Sequence, residues 1–237
     1  MKSLTFFLVA FVFSLNIFAD TVSDKEKEAL VKLYNATNGS QWATKWDLSL
    51  SVSRWRGVKV ENGKVVELNL ANNNLHGSLP NEITDLMYLE VLDVSKNKLS
   101  GDLPADIGKL GHLEILSLFN NEIKGHIPSS LYKISALKIL LLNNNKLSGI
   151  LSNEIVNFVS LENLSLFDNG FEGEIPKGLN KLHKLTEMNL SYNNFKGTIS
   201  RNLALLDALN MTMFDESGNP FLLEINNEKE TTIVTQN

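Results

Sequence analysis

The chain contains no cysteine in 237 residues. Disulfides and thiolate metal sites are thereby excluded, and only burial and hydrogen bonding remain to hold the fold. Positive charge is also short: 22 lysines and arginines stand against 27 aspartates and glutamates, a net charge of −5. No basic run occurs, which argues against a nucleic-acid or anionic-membrane partner. Apolar runs long enough to cross a bilayer, about 20 residues, are missing. The one extended apolar stretch is at the start. There Lys2 is followed by apolar residues from Leu4 to Phe18, broken by Ser14 and Asn16 and closed by Ala19. A positive start, a short apolar stretch and a small residue at the exit are the marks of a secretory signal peptide. Residues 1–19 are therefore expected to be removed on export. The remaining chain, with no membrane insertion, is expected in the periplasm, on the cell surface or in the medium.

What the sequence does have is a period. Written from Val65 in rows of 24, it gives six rows, beginning at Val65, Leu89, Leu113, Leu137, Leu161 and Leu185, without insertion or deletion. Columns 1, 4, 6, 11, 15, 19 and 22 are apolar in every row. Column 9 is always asparagine: Asn73, Asn97, Asn121, Asn145, Asn169 and Asn193. Column 13 is always glycine, from Gly77 to Gly197, and column 16 is proline except at Ser152 and Ser200. Each row can bury its apolar columns only against the rows before and after it. The alternating start makes a short strand that pairs in parallel with the next. The asparagine amide can donate and accept toward backbone that would otherwise be buried unpaired, so the six form a structural ladder. Glycine suits a tight bend, and proline a turn that needs no donor. The two serines are expected to leave their turns less rigid.

These rows resemble the 24-residue, plant-type leucine-rich repeat, L-x-x-L-x-L-x-x-N-x-L-x-G-x-I-P-x-x-L-x-x-L, over residues 65–208. The resemblance implies an α/β repeat fold: a right-handed solenoid with a parallel sheet on its concave side and a second, shorter strand layer at L-x-G-x-[IL]-P. Residues 20–64 would form the N-terminal cap and 209–237 a degenerate seventh row, an irregular C-terminal cap and a polar tail. In that last segment Gly218-Asn219-Pro220 suits a turn, with Phe221, Leu222, Leu223 and Ile225 free to cover the final coil. In the N-terminal cap, Ser23 and Glu26 have capping-box spacing, and Ala29, Leu30, Leu33 and Tyr34 share one helical face. Asn38-Gly39 ends that helix, and Trp42, Trp46 and Trp55 follow. The plant-type cap reads C-x-W-x-G-V-x-C. Here Ser53 and Val60 stand at the cysteine places while Trp55, Gly57 and Val58 remain, so aromatic burial is expected to replace the disulfide. The stretch from Ala29 to Trp42 is similar to the cysteine-free caps of secreted bacterial and protist repeat proteins. The tryptophans are read as cap core, with carbohydrate stacking as the alternative.

No catalytic constellation is visible. His76, His112, His126 and His183 fall in different columns, and no zinc spacing or nucleophile elbow occurs. Carboxylates such as Asp93, Asp168 and Glu187 are scattered along an open sheet that offers no pocket to separate their pKa values. Neither enzyme activity, nor a cofactor, nor a metal is expected. Function is sought instead in columns 3, 5, 7 and 8, which the fold leaves free. Their centre is apolar and their ends polar. Ile115, Phe119, Ile139, Leu141 and Phe167, with Tyr192 beside them, form the candidate partner-binding surface, since aromatic anchors inside a polar rim are typical of interfaces. The expected partner of this monomeric module is a protein or peptide, with a surface glycan as a second candidate. The competing reading is a stiff surface or matrix protein with no dedicated ligand. The sequons at Asn35, Asn38, Asn163, Asn189 and Asn210 matter only in a host that glycosylates.

Overall fold

The computed structural model describes residues 22–206 and the backbone of three further strands, 212–214, 220–222 and 224–226. The expected signal peptide, the turn at Gly218-Asn219, the covering side chains of 221–225 and the polar tail lie outside the described residues.

Columns 4 and 6 of each row sit on one side of a short strand and point inward, so consecutive rows pair in register. Glu67, Val91, Ile115, Ile139, Asn163 and Glu187 are successive partners across the parallel strands. Seven strands result, the first an antiparallel hairpin of Val58–Glu61 with Lys64–Asn69. Asn62 and Gly63 turn that hairpin at φ 50° and 71°, the twist that a two-residue hairpin favours. Columns 10 to 14 make a second, six-stranded sheet, from His76–Gly77 to Asn194–Lys196. Each coil then closes through a short 3-10 helix, such as Asn81–Asp85, Ile107–Lys109 or Asn153–Asn157. Of the seven apolar columns, every residue is buried except Ile127 and Leu206. Those two are half-buried against the same core.

The asparagines of column 9 supply the polar scaffold inside this stack. Asn145 donates from Nδ2 to Leu118 O at 3.0 Å, Leu142 O at 3.0 Å and Asn143 O at 3.3 Å, while its Oδ1 accepts from Ile123 N at 3.0 Å. Asn121, Asn169 and Asn193 repeat the pattern. Asn97 accepts from both Asn73 N and Leu75 N. Asn73 has no preceding repeat and grips the cap instead: its Oδ1 accepts from Thr44 N at 2.6 Å and its Nδ2 donates to Thr44 O at 3.2 Å.

The glycines of column 13 all have positive φ. A second reason for glycine emerges at Gly149, where an added Cβ would sit 2.0 Å from Cδ2 of His126. His126 belongs to column 14 of the previous coil and lies over the glycine; Asp102 stands over Gly125 in the same way.

The two serines of column 16 keep the backbone that proline imposes. Ser152 has φ −69° and ψ 147° and Ser200 −67° and 148°, beside −74° and 154° at Pro80. The looser turn expected there is not seen in the backbone, because each serine caps the next helix: Ser152 Oγ accepts from Glu154 N and Ser200 Oγ from Leu203 N. Each also takes a partner from column 20 of the preceding coil. Tyr132 accepts the Ser152 N–H at 3.3 Å through its hydroxyl, and Asn180 Oδ1 accepts from Ser200 Oγ. Where proline stands in column 16, the preceding coil has Thr84, Gly108 or Val156 at that place.

The N-terminal helix spans Asp24–Ala36. Ser23 caps it, and Glu26, buried, accepts the Ser23 hydroxyl with Oε2 and the N–H of Val65 with Oε1 at 3.1 Å. One carboxylate thus ties the cap to the first repeat. Below the helix, Trp46 stacks on Trp55 at 4.8 Å between ring centroids and meets Trp42 edge-on at 4.9 Å. Tyr34 packs against both Trp42 and Trp46. The three indole N–H groups donate to the carbonyls of Thr37, Arg56 and Asp47. All three tryptophans are buried, so no ring face is free to stack on a sugar, and the cap-core reading holds. At Gly57, φ is 83° and a Cβ would lie 2.0 Å from Asn69 O, which explains the glycine of the Trp-x-Gly-Val element.

At the other end, Thr212–Phe214 pairs antiparallel with Pro220–Leu222, and Thr198–Ser200 pairs parallel with Glu224–Asn226. The seventh row therefore does not extend the seven-stranded sheet, which ends at Glu187–Asn189.

Candidate functional site

On the concave sheet the candidate residues come together as two groups in one patch. Ile115 pairs with Ile139, and Leu141 lies between Ser117 and Ser165. Phe167 meets Tyr192 at 4.8 Å between centroids, tilted by 55°. Phe119 carries the Lys96 ammonium 5.6 Å from its ring centre, a cation–π arrangement. The two phenylalanines are two coils apart, about 9–10 Å at strand spacing. Ile115, Phe119, Ile139, Leu141 and Phe167 are half-buried, and Tyr192 is 41% exposed.

The outward columns prove less free than alternation suggests. Every residue of column 8 has left-handed backbone: Asn72, Lys96, Asn120, Asn144, Asp168 and Tyr192, at φ 52° to 60°. Asparagine and aspartate tolerate that region best, so column 8 is chosen first by the turn and only then by any ligand. In column 5, Asn69, Asp93 and Asn189 each accept the N–H two residues on, so these polar ends of the face are turn-forming side chains. In column 7, Ser95 and Ser191 are buried, each one coil away from a phenylalanine.

Column 2 was missed by the sequence reading, because it lies beside the buried column 1 and was given neither to the core nor to the face. It reads Val66, Glu90, Glu114, Lys138, Glu162, Thr186, and all but Val66 reach solvent. Lys138 Nζ lies 2.6 Å from Glu114 Oε2. The Glu114 hydrogen bond is the main cause that holds the Lys138 ammonium above its ordinary pKa. In column 3, Asn163 donates to the Glu187 carboxylate. At the leading edge, Lys64 sits 4.9 Å over the Tyr88 ring, which stacks on His112 at 5.6 Å.

Two shallow depressions, of about 230 and 480 Å³, lie along the second sheet and contain none of the candidate residues. Among the described residues no group of three or more His, Asp or Glu is placed to hold a metal ion, and no helix is long and apolar enough to cross a membrane.

Comparison with known proteins decides the family. The model of a leucine-rich repeat region matches residues 96–212, and the leucine-rich repeat model matches 64–86. The ectodomain of the receptor kinase SOBIR1 from Arabidopsis thaliana is 30% identical with a TM-score of 0.64, covering 74% of this chain and 98% of its own. The chain belongs to the leucine-rich-repeat family. Other leucine-rich-repeat structures superpose similarly. The HAESA ectodomain from Arabidopsis, solved with an N-terminally extended IDA peptide hormone, is 27% identical, with TM-score 0.68, over 85% of this chain and 33% of that one. A chain of the Arabidopsis BIR3–SERK2 complex is 27% identical, with TM-score 0.58, over 71% and 92%. No curated protein sequence matches significantly.

Proposed function

We propose that this leucine-rich-repeat protein is an exported, non-catalytic binding module that takes a peptide or protein segment on its concave sheet. The observation that carries this reading is the cluster of Ile115, Ile139, Leu141, Phe119 and Phe167, half-buried side chains at the centre of a face whose ends are polar. Two flat rings held by neighbours, Phe119 under Lys96 and Phe167 against Tyr192, lose little freedom on binding and are suited to act as anchors. The peptide and receptor complexes among its structural neighbours support that class of partner. The Lys2 to Ala19 pattern and the ectodomain neighbours support export.

The test is a double variant, Phe119→Ala with Phe167→Ala, against peptides selected from a random library on the native protein. Binding should weaken by about 1–3 kcal/mol per anchor while the melting temperature holds. Selected peptides that bind the folded double variant with unchanged affinity would reject the concave patch as the contact surface.

A further inference from the structure

We infer that the segment bound on the concave sheet is cationic, with lysine or arginine on both sides of an apolar residue. This deepens, and rests on, the reading of the concave sheet as a peptide-binding surface. Columns 2 to 8 of the six rows hold seven carboxylates: Glu90, Glu114 and Glu162 in column 2, Glu67 and Glu187 in column 3, and Asp93 and Asp168 further along. Within those columns Lys96 and Lys138 oppose them, and Lys59, the cross-strand partner of Glu67, opposes them at the sheet's first edge. Those columns therefore carry a surplus of five negative charges.

The distribution fixes more than the sign. Lys138 is held 2.6 Å from Glu114, so those two neutralise each other in the middle of column 2. That leaves Glu90 and Glu162, both exposed, as the carboxylates on either side of the apolar patch. They stand three coils apart, about 14 Å at strand spacing. An extended peptide advances about 3.3–3.4 Å per residue and returns to the same face every second one. Residues i and i+4 then lie about 13 Å apart on one side, matched to Glu90 and Glu162, and residue i+2 falls beside Ile115 and Ile139. Glu67 and Glu187 extend the acidic rim by one further coil at each end. A basic, x, apolar, x, basic segment satisfies the patch and both carboxylates at once. An acidic segment would have to bring its charge into a field of its own sign.

A random dodecapeptide display library panned on the full-length native protein tests this. Peptides dependent on Phe119 and Phe167 should be enriched in lysine and arginine placed four apart around an apolar residue. Their dissociation constants should rise about tenfold or more with Glu90→Lys plus Glu162→Lys, which removes two exposed ion pairs and adds repulsion. They should also rise between 0.1 M and 1 M salt, as the screening length falls from ~10 Å to ~3 Å. The Glu90→Gln plus Glu162→Gln variant, which introduces no new charge, should show part of the same loss. Phe-dependent peptides that are neutral or acidic, or indifferent to both charge variants and to salt, overturn the inference and leave the peptide-binding reading intact. Failure of the library to yield any Phe-dependent peptide overturns both.

Discussion

The contact between Tyr132 and Ser152 makes a sharp test of how neighbouring coils are matched. Four of the six rows have proline in column 16; the fourth row has Ser152, and serine carries an N–H that proline lacks. Tyr132, 2% exposed, accepts that N–H at 3.3 Å. Tyr132→Phe should leave the donor unpaired. A buried unpaired group costs about 1–3 kcal/mol, and the length of this bond puts the loss near the lower end. Ser152→Pro acts differently. The native φ of −69° and ψ of 147° suit proline, but the ring Cδ would take the place of the N–H that Tyr132 accepts and crowd its hydroxyl, so the change should destabilise by about 1 kcal/mol or more. It also gives up the Ser152 Oγ cap on Glu154 N at 3.1 Å, worth about 1 kcal/mol. In the Ser152→Pro background there is no N–H to orphan, and Tyr132→Phe, which removes the crowding hydroxyl, should cost nothing or stabilise. The double-mutant cycle, read by urea titration, should show a coupling of about 1 kcal/mol. In thermal melts this corresponds to roughly 2–4 °C for a chain of this size. Single effects that add to within about 0.3–0.5 kcal/mol would show that the bond contributes nothing and that the pairing of columns 16 and 20 is incidental.

Burial pushes the Tyr132 phenol above its ordinary pKa, the Ser152 bond opposing this only in part. Folding therefore favours the protonated phenol. This contribution is whole below about pH 10 and is lost as pH rises through that value toward the folded-state pKa, so stability between pH 9 and 11 should fall more steeply in wild type than in Tyr132→Phe. Asn145→Ala strips partners from Leu118 O, Leu142 O and Ile123 N and should cost about 2–4 kcal/mol, seen as a lower urea midpoint. Gly149→Ala meets both a φ of 85° and the His126 ring and should cost about 1–3 kcal/mol. Adding His126→Ala should restore only the steric share, a difference that calorimetry can resolve.

The fold was legible because a 24-residue return constrains every column six times over, and the interior columns obey one rule each. Leucine at columns 1, 4 and 6, asparagine at 9 and glycine at 13 leave a single way to stack. The outward columns obey several rules at once, and there the reading thinned. Column 8 spells Asn, Lys, Asn, Asn, Asp, Tyr; the asparagines hint at left-handed backbone, but Lys96 and Tyr192 mask it until φ is seen. Column 5 looked like ligand-facing polarity, yet Asn69, Asp93 and Asn189 spend their side chains on the turn. The partnership of Ser152 with Tyr132 joins residues 20 apart, a spacing that no row-by-row comparison inspects. The tryptophans allowed two readings on sequence, and their burial, with each indole N–H given to a backbone carbonyl, separates them. The acidic strip of column 2 was in plain view but needed the exposure of Glu90 and Glu162 to be recognised as surface.

The asparagine bonds between coils all run one way. Asn97, Asn121, Asn145, Asn169 and Asn193 each fasten a carbonyl and an amide of the coil before their own, and Asn73 does the same for the cap. In this ladder a coil is latched by the asparagine of its successor. During synthesis, which proceeds from the N-terminus, the newest coil always waits unlatched for the next to arrive. Shortening the protein from its C-terminus by whole repeats would move that open latch inward, whereas removing the N-terminal helix would leave the asparagine bonds in place and cost the first repeat its Glu26 tie at Val65 N.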